Sequence, residues 1–134
     1  RLPPERVAGI VSIAGPTDLL RFWTVHGHVR FAHLFGSEPA TDAMLEAASP
    51  VSWVTPDSPP LLCVHSVHDE LVPPAQSGLI AAAYAANGRS CEVHRFAGAG
   101  KAHGIWQSEA AEPDLLAPLQ GRIVDFLSTC LNRL

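Results

Sequence analysis

The run that constrains this chain most is Val7 to Ala14 (VAGIVSIA), apolar and without polar alternation; Leu61 to Ser66 (LLCVHS) is a second apolar strand candidate and Cys91 to Phe96 (CEVHRF) makes a third strand. A continuous run rich in β-branched residues suits a strand covered on both faces, as in a parallel sheet, rather than a half-exposed strand. Proline cannot donate to a ladder, so Pro59-Pro60 belongs just before the second run begins. Between the second and third runs, Pro74 to Ala86 is alanine-rich with strong helix propensity, and Asn87-Gly88 supplies a left-handed C-cap. Thr41 or Asp42 caps a short helix through Ala48, and Ser49-Pro50 ends it. Leu115, Leu116, Leu119, Ile123, Leu127 and Leu131 recur at three- and four-residue spacing, one apolar face of a last helix with Pro118 in its first turn. Residues 17–40 support at most short helices. The order of elements predicts an α/β fold with about three parallel strands, crossover helices and a C-terminal helix, residues 1–134 forming one unit.

The 134 residues suffice for an ordinary core, and an apolar share of 47% excludes a disordered chain. Nine basic against thirteen acidic residues leave a net charge of −4 with no like-charge run, so nucleic acid is not an expected partner. The longest apolar stretch, Leu79 to Ala86, is too short to cross a bilayer, and no basic segment followed by an apolar one opens the chain. A soluble chain without a membrane partner is expected. Three widely spaced cysteines, Cys63, Cys91 and Cys130, each in an apolar segment, read as core residues rather than a disulfide frame, which favours the cytoplasm without excluding a secreted parent. His26, His28 and His33, or His65 with His68, lack further ligands at motif spacing, so no metal site is expected. Trp23, Phe31, Phe35 and Trp53 could line an acyl pocket, although core packing is the commoner role.

In such a fold the functional residues lie beyond the carboxyl ends of the strands. Asp69 follows the second strand in HSVHDELVPP, and His103 follows the third in FAGAGKAHGIW. An aspartate there serves equally as a turn former, and a histidine between glycines is most often a solvated surface residue. Their order, acid then histidine with one helix between, is that of a serine-hydrolase triad, in which the carboxylate orients the imidazole and the imidazole moves the proton.

The stretch from ASPVSWVTPDSPP through the HSVHDELVPP turn, the Gln76-Ser77 helix start and the KAHG loop resembles the C-terminal half of α/β-hydrolases of the feruloyl-esterase-like and prolyl-oligopeptidase-like group. VAGIVSIAGPTDLL resembles the strand that follows the nucleophile's helix. The resemblance implies a partial α/β-hydrolase fold with catalytic Asp69 and His103, His65 at the family's structural histidine position, a small-molecule ester substrate and no cofactor. Ser66 stands where that group usually has glycine, and GAGKAHG is longer than its common GAGHG form. The chain contains no G-x-S-x-G nucleophile elbow and no HGG-type oxyanion segment, which lie upstream in the family. Ser12 falls inside a strand, Ser37 lacks the elbow glycines and Ser66 begins the acid loop. The expectation is therefore a serine esterase fragment cut from a larger reading frame and inactive in isolation. A prolyl-oligopeptidase-like peptidase fragment and a non-catalytic, self-associating remnant are the alternatives. The open edge of the first strand predicts a homo-dimer or aggregation.

Overall fold

The computed structural model describes residues 7–26, 36, 40–97, 103 and 113–132. The elements run β1 (Ile10–Ile13), α1 (Leu19–His26), α2 (Asp42–Ala48), a 3-10 turn (Pro50–Trp53), β2 (Leu61–Ser66), α3 (Ala75–Ala86), β3 (Cys91–Phe96) and α4 (Pro113–Leu131). All strands are parallel, in the order β1-β2-β3. Ile10 pairs with Leu61 across one ladder, and Leu61 pairs with Cys91 across the other.

β2 is the covered strand: each of its six residues is buried. Its side chains alternate between two cores. Leu62 and Val64 face Phe96 and the α4 residues Leu119, Phe126 and Cys130, whereas Leu61 and Cys63 face Ile80 and Tyr84 of α3. All three cysteines are free; Cys63 and Cys130 are buried and Cys91 is half-buried.

β1 is shorter than its apolar run and is not covered on both faces. Ile10 donates to the Pro60 carbonyl, but Pro59 and Pro60 have no N–H to return, so the ladder stops there. At the other end Ala14 leaves the extended region with φ 49°. β1 also lies at the sheet's edge, and Ile10 and Ile13 are 39% and 42% exposed.

The helices match expectation in kind and differ in detail. Thr41 caps α2 by accepting from the Met44 amide, and α3 ends at Asn87 with Gly88 at φ 65°. α4 begins at Pro113, which puts Pro118 inside the helix rather than in its first turn. The buried stripe of α4 is Leu119, Phe126 and Cys130, with Ile123 packed beside it, while Leu127 and Leu131 are exposed. Each four-residue step advances about 40° around a helix. By that rotation Leu131 lies about 120° from Leu119, whereas Phe126 and Cys130 lie within about 20° of it. The side chain of Leu115, the loop 98–104 apart from His103, residues 27–35 with His28, Phe31 and His33 among them, and the side chains of Trp23 and His26 lie outside the described residues.

α4 seats against Gly9, just ahead of β1, where the chain has no side chain. A Cβ on Gly9 would sit 2.8 Å from Cys130 Sγ and 3.3 Å from Phe126 Cε1. Gly9→Ala should therefore lower stability by about 1–3 kcal/mol through overpacking. Thermal melts of Gly9→Ala, Cys130→Ala and the double variant check it: the double variant should be less destabilised than the sum of the two singles.

Candidate active site

The turn after β2 is built from short-range hydrogen bonds. Ser66 Oγ accepts from the His68 amide at 3.1 Å, and the Asp69 amide lies 3.4 Å from the Ser66 carbonyl. Serine in the position where glycine is usual thus adds a hydroxyl tie to the turn. Asp69, whose side chain is fully buried, divides its oxygens. Oδ1 accepts from the amides of Leu71 and Val72, each at 2.9 Å. Oδ2 lies 2.9 Å from Nδ1 of His103, whose ring is 35% exposed. The structure thus brings together the two residues that the sequence singles out, at the carboxyl ends of β2 and β3.

Burial by itself pushes the Asp69 carboxyl up, but the Val72 amide, the His103 ring and the Leu71 amide together outweigh it. The carboxyl is held below its ordinary value of 3.8. Because Oδ2 only accepts when ionised, His103 Nδ1 carries the shared hydrogen and Nε2 is the nitrogen left for other chemistry.

Two buried networks join residues that the sequence marked only as a structural histidine and a helix start, without their contacts. His65, with no exposed surface, donates from Nε2 to the Val72 carbonyl at 2.9 Å and meets Ser77 Oγ at 2.6 Å through Nδ1. Gln76, at the start of α3, reaches the segment beyond β1: Oε1 accepts from the amides of Thr17 (2.8 Å) and Asp18 (2.7 Å), and Nε2 donates to the Asp18 carbonyl at 3.2 Å. The Thr17 hydroxyl donates back to the Gln76 carbonyl at 2.6 Å. A histidine on a strand that is otherwise apolar was the available signal, because a buried imidazole needs partners for both nitrogens.

A groove of about 480 Å³ opens elsewhere, along β1, lined by Ile10, Ser12, Trp53, Leu61, Ile80 and Tyr84 among others. Neither Asp69 nor His103 lines it. Trp53 is 62% exposed and ties its indole N–H to the Ala47 carbonyl at 2.7 Å, so it lines this groove rather than packing in the core. Among the described residues no three His, Cys, Asp or Glu side chains converge as metal ligands, and no helix is long and apolar enough to cross a membrane.

A parallel sheet between helix layers, with an acid after one strand and a histidine after the next, defines part of an α/β-hydrolase fold. The BD-FAE family model matches residues 3–84, and the chain belongs to that family. Solved structures agree on the fold. A truncated carbohydrate esterase from gut microbiota has a TM-score of 0.71 and 22% identity, over 92% of this chain and 42% of that one. A bifunctional GH43-CE protein of Bacteroides eggerthii has a TM-score of 0.68 and 25% identity, over 93% of this chain and 17% of that one. A puromycin-hydrolysing peptidase of Mycobacterium tuberculosis has a TM-score of 0.56 and 26% identity, over 66% of this chain and 14% of that one. The chain thus spans less than half the length of each. A search of curated proteins finds no match. The neighbours are named as esterases and peptidases, and this chain carries part of the α/β-hydrolase fold.

Proposed function

We propose that residues 1–134 supply the acid and the general base of a serine hydrolase acting on carboxylic esters of small molecules, such as acylated sugars or aryl esters. The observation that carries this reading is the 2.9 Å contact between His103 Nδ1 and the buried Asp69 Oδ2 beyond the sheet's carboxyl edge. The esterase and GH43-CE names of the structural neighbours support the ester substrate class.

In this mechanism His103 Nε2 takes the proton of a serine hydroxyl supplied from outside these residues, as its oxygen bonds the ester carbonyl carbon. The imidazolium, stabilised by ionised Asp69, then protonates the departing alcohol. Water, deprotonated by the same nitrogen, releases the acid and restores the serine. Asp69 stays ionised throughout, as its depressed carboxyl pKa favours.

The coding sequence ahead of residue 1 should contain a G-x-S-x-G segment within about a hundred residues, a half-domain by size. The longer product should react with a fluorophosphonate probe, and His103→Gln should reduce that labelling by a factor on the order of 10³ or more. The 134-residue chain alone should not label; robust labelling of it would sink the proposal. The peptidase neighbour supports a second reading, a prolyl-oligopeptidase-like peptidase fragment. Turnover of aminoacyl arylamides in preference to aryl esters by the longer product would select it.

The exposed Ile10 and Ile13 edge and the groove beside it support self-association of the isolated chain. Size-exclusion chromatography should show dimer or larger species growing with concentration. A monomer across the whole range would remove that partner.

A further inference from the structure

A second imidazole lies against the carboxylate that His103 uses. His65 Nε2 is 3.4 Å from Asp69 Oδ2, and neither side chain is exposed. The distance is too long for a strong hydrogen bond, and the ring's hydrogen is directed elsewhere, to the Val72 carbonyl at 2.9 Å. A carbonyl only accepts, so Nε2 carries that hydrogen. In the uncharged ring Nδ1 then accepts, and the Ser77 hydroxyl 2.6 Å away is its donor. The opposite tautomer would aim a bare lone pair at two acceptors, the Val72 carbonyl and Asp69 Oδ2.

Val72 links the two rings. Its carbonyl accepts from His65, and its own amide donates to Asp69 Oδ1 at 2.9 Å. With Oδ1 occupied by the Val72 and Leu71 amides, Oδ2 is the oxygen turned to His103. A buried histidine that merely satisfies its own nitrogens needs no such arrangement. Here both of the atoms that its Nε2 faces belong to the machinery that holds His103.

We infer that His65, set in its Nε2–H tautomer by Ser77, is a positioning residue for His103: it fixes Val72, and through Val72 the orientation of the Asp69 carboxylate. Its catalytic meaning rests on the proposed function, but the effect on His103 does not need turnover to be seen.

The test uses the 134-residue chain and nitrogen-15 and proton NMR of its histidines. Wild type should show a downfield, Asp69-bound Nδ1–H signal for His103 and a neutral ring dominated by the Nδ1–H tautomer. Ser77→Ala, which removes a single oxygen, and His65→Leu should each lower the His103 ratio of Nδ1–H to Nε2–H forms by about tenfold, the equivalent of one ordinary hydrogen bond. His65→Gln places an amide N–H where Nε2 stood and should recover most of that ratio. Should His65→Leu fail to fold, Ser77→Ala and His65→Gln carry the test between them. A wild-type ratio in folded Ser77→Ala overturns the inference, and so does a folded His65→Gln that fails to recover the ratio. A longer product that proved not to be a serine hydrolase would leave these spectra unchanged, so the two readings fail separately.

Discussion

Asp69→Ala should destabilise the folded chain by about 3 kcal/mol, the cost of orphaning two turn amides and one imidazole N–H beside a buried side chain. Urea unfolding of the two proteins measures it, and a difference under about 1 kcal/mol would show that water replaces the carboxylate. The pH dependence follows from the depressed carboxyl. A group whose folded value lies below its unfolded one contributes stability above the unfolded value, here the ordinary 3.8, and loses it as pH falls through the folded value. Wild type should therefore lose stability steeply below that pH, and Asp69→Asn, which has no proton to gain, should show a shallower acid limb. Coincident acid limbs would remove Asp69 from the linkage. Asp69→Asn keeps an acceptor for the amides of Leu71 and Val72 but sets an NH₂ against His103 Nδ1. That forces the Nε2–H tautomer, and in the longer product hydrolysis should fall by a factor on the order of 10⁴.

Gln76→Ala should cost a similar amount, about 3 kcal/mol, for a different reason. Gln76 is 3% exposed and its Oε1 satisfies the amides of both Thr17 and Asp18, in the segment between β1 and α1. Truncation leaves two donors facing a cavity, each unpaired donor costing about 1–3 kcal/mol. Gln76→Glu retains the acceptor but turns a second oxygen toward the Asp18 carbonyl, which Nε2 now satisfies at 3.2 Å. Its loss should fall between wild type and alanine, and grow with pH as the carboxyl ionises. Chemical denaturation at pH 5 and pH 8 checks the order. Hydrogen exchange should show the amides of Thr17 and Asp18 opening first in Gln76→Ala, and unchanged protection there would mean that the bridge contributes little.

The three strands were legible because each is a short run bounded by a proline, a turn or a polar loop, the first of them rich in β-branched residues. β2 and β3 match their runs residue for residue, since the ladder between them spans both segments in full. β1 was overread: the eight-residue run Val7 to Ala14 marks a segment that must be packed, but only the four residues opposite non-proline partners form a ladder. In α4 the leucines drew attention to the wrong shoulder of the helix. Composition does not say which way a face turns, and the contact with Gly9 selects Phe126 and Cys130. For Trp53 the sequence left pocket lining and core packing both open, and the structure places it along the groove, 62% exposed.

For the candidate site, chain order and residue type were enough to choose Asp69 and His103 from thirteen acidic residues and seven histidines. An acid after one strand and a histidine after the next come to the same edge of a parallel sheet, because both loops leave from the carboxyl ends of the strands. What the sequence by itself determined is therefore the set of elements, their order, the family and the pair of side chains worth watching. The tertiary structure alone decided which Asp69 oxygen meets His103, that Val72, His65 and Ser77 stand behind that pair, and that Gln76 ties α3 to Thr17 and Asp18. Those contacts join residues far apart in the chain through single atoms at hydrogen-bond distance, and no periodicity or spacing along a sequence encodes an orientation of that kind.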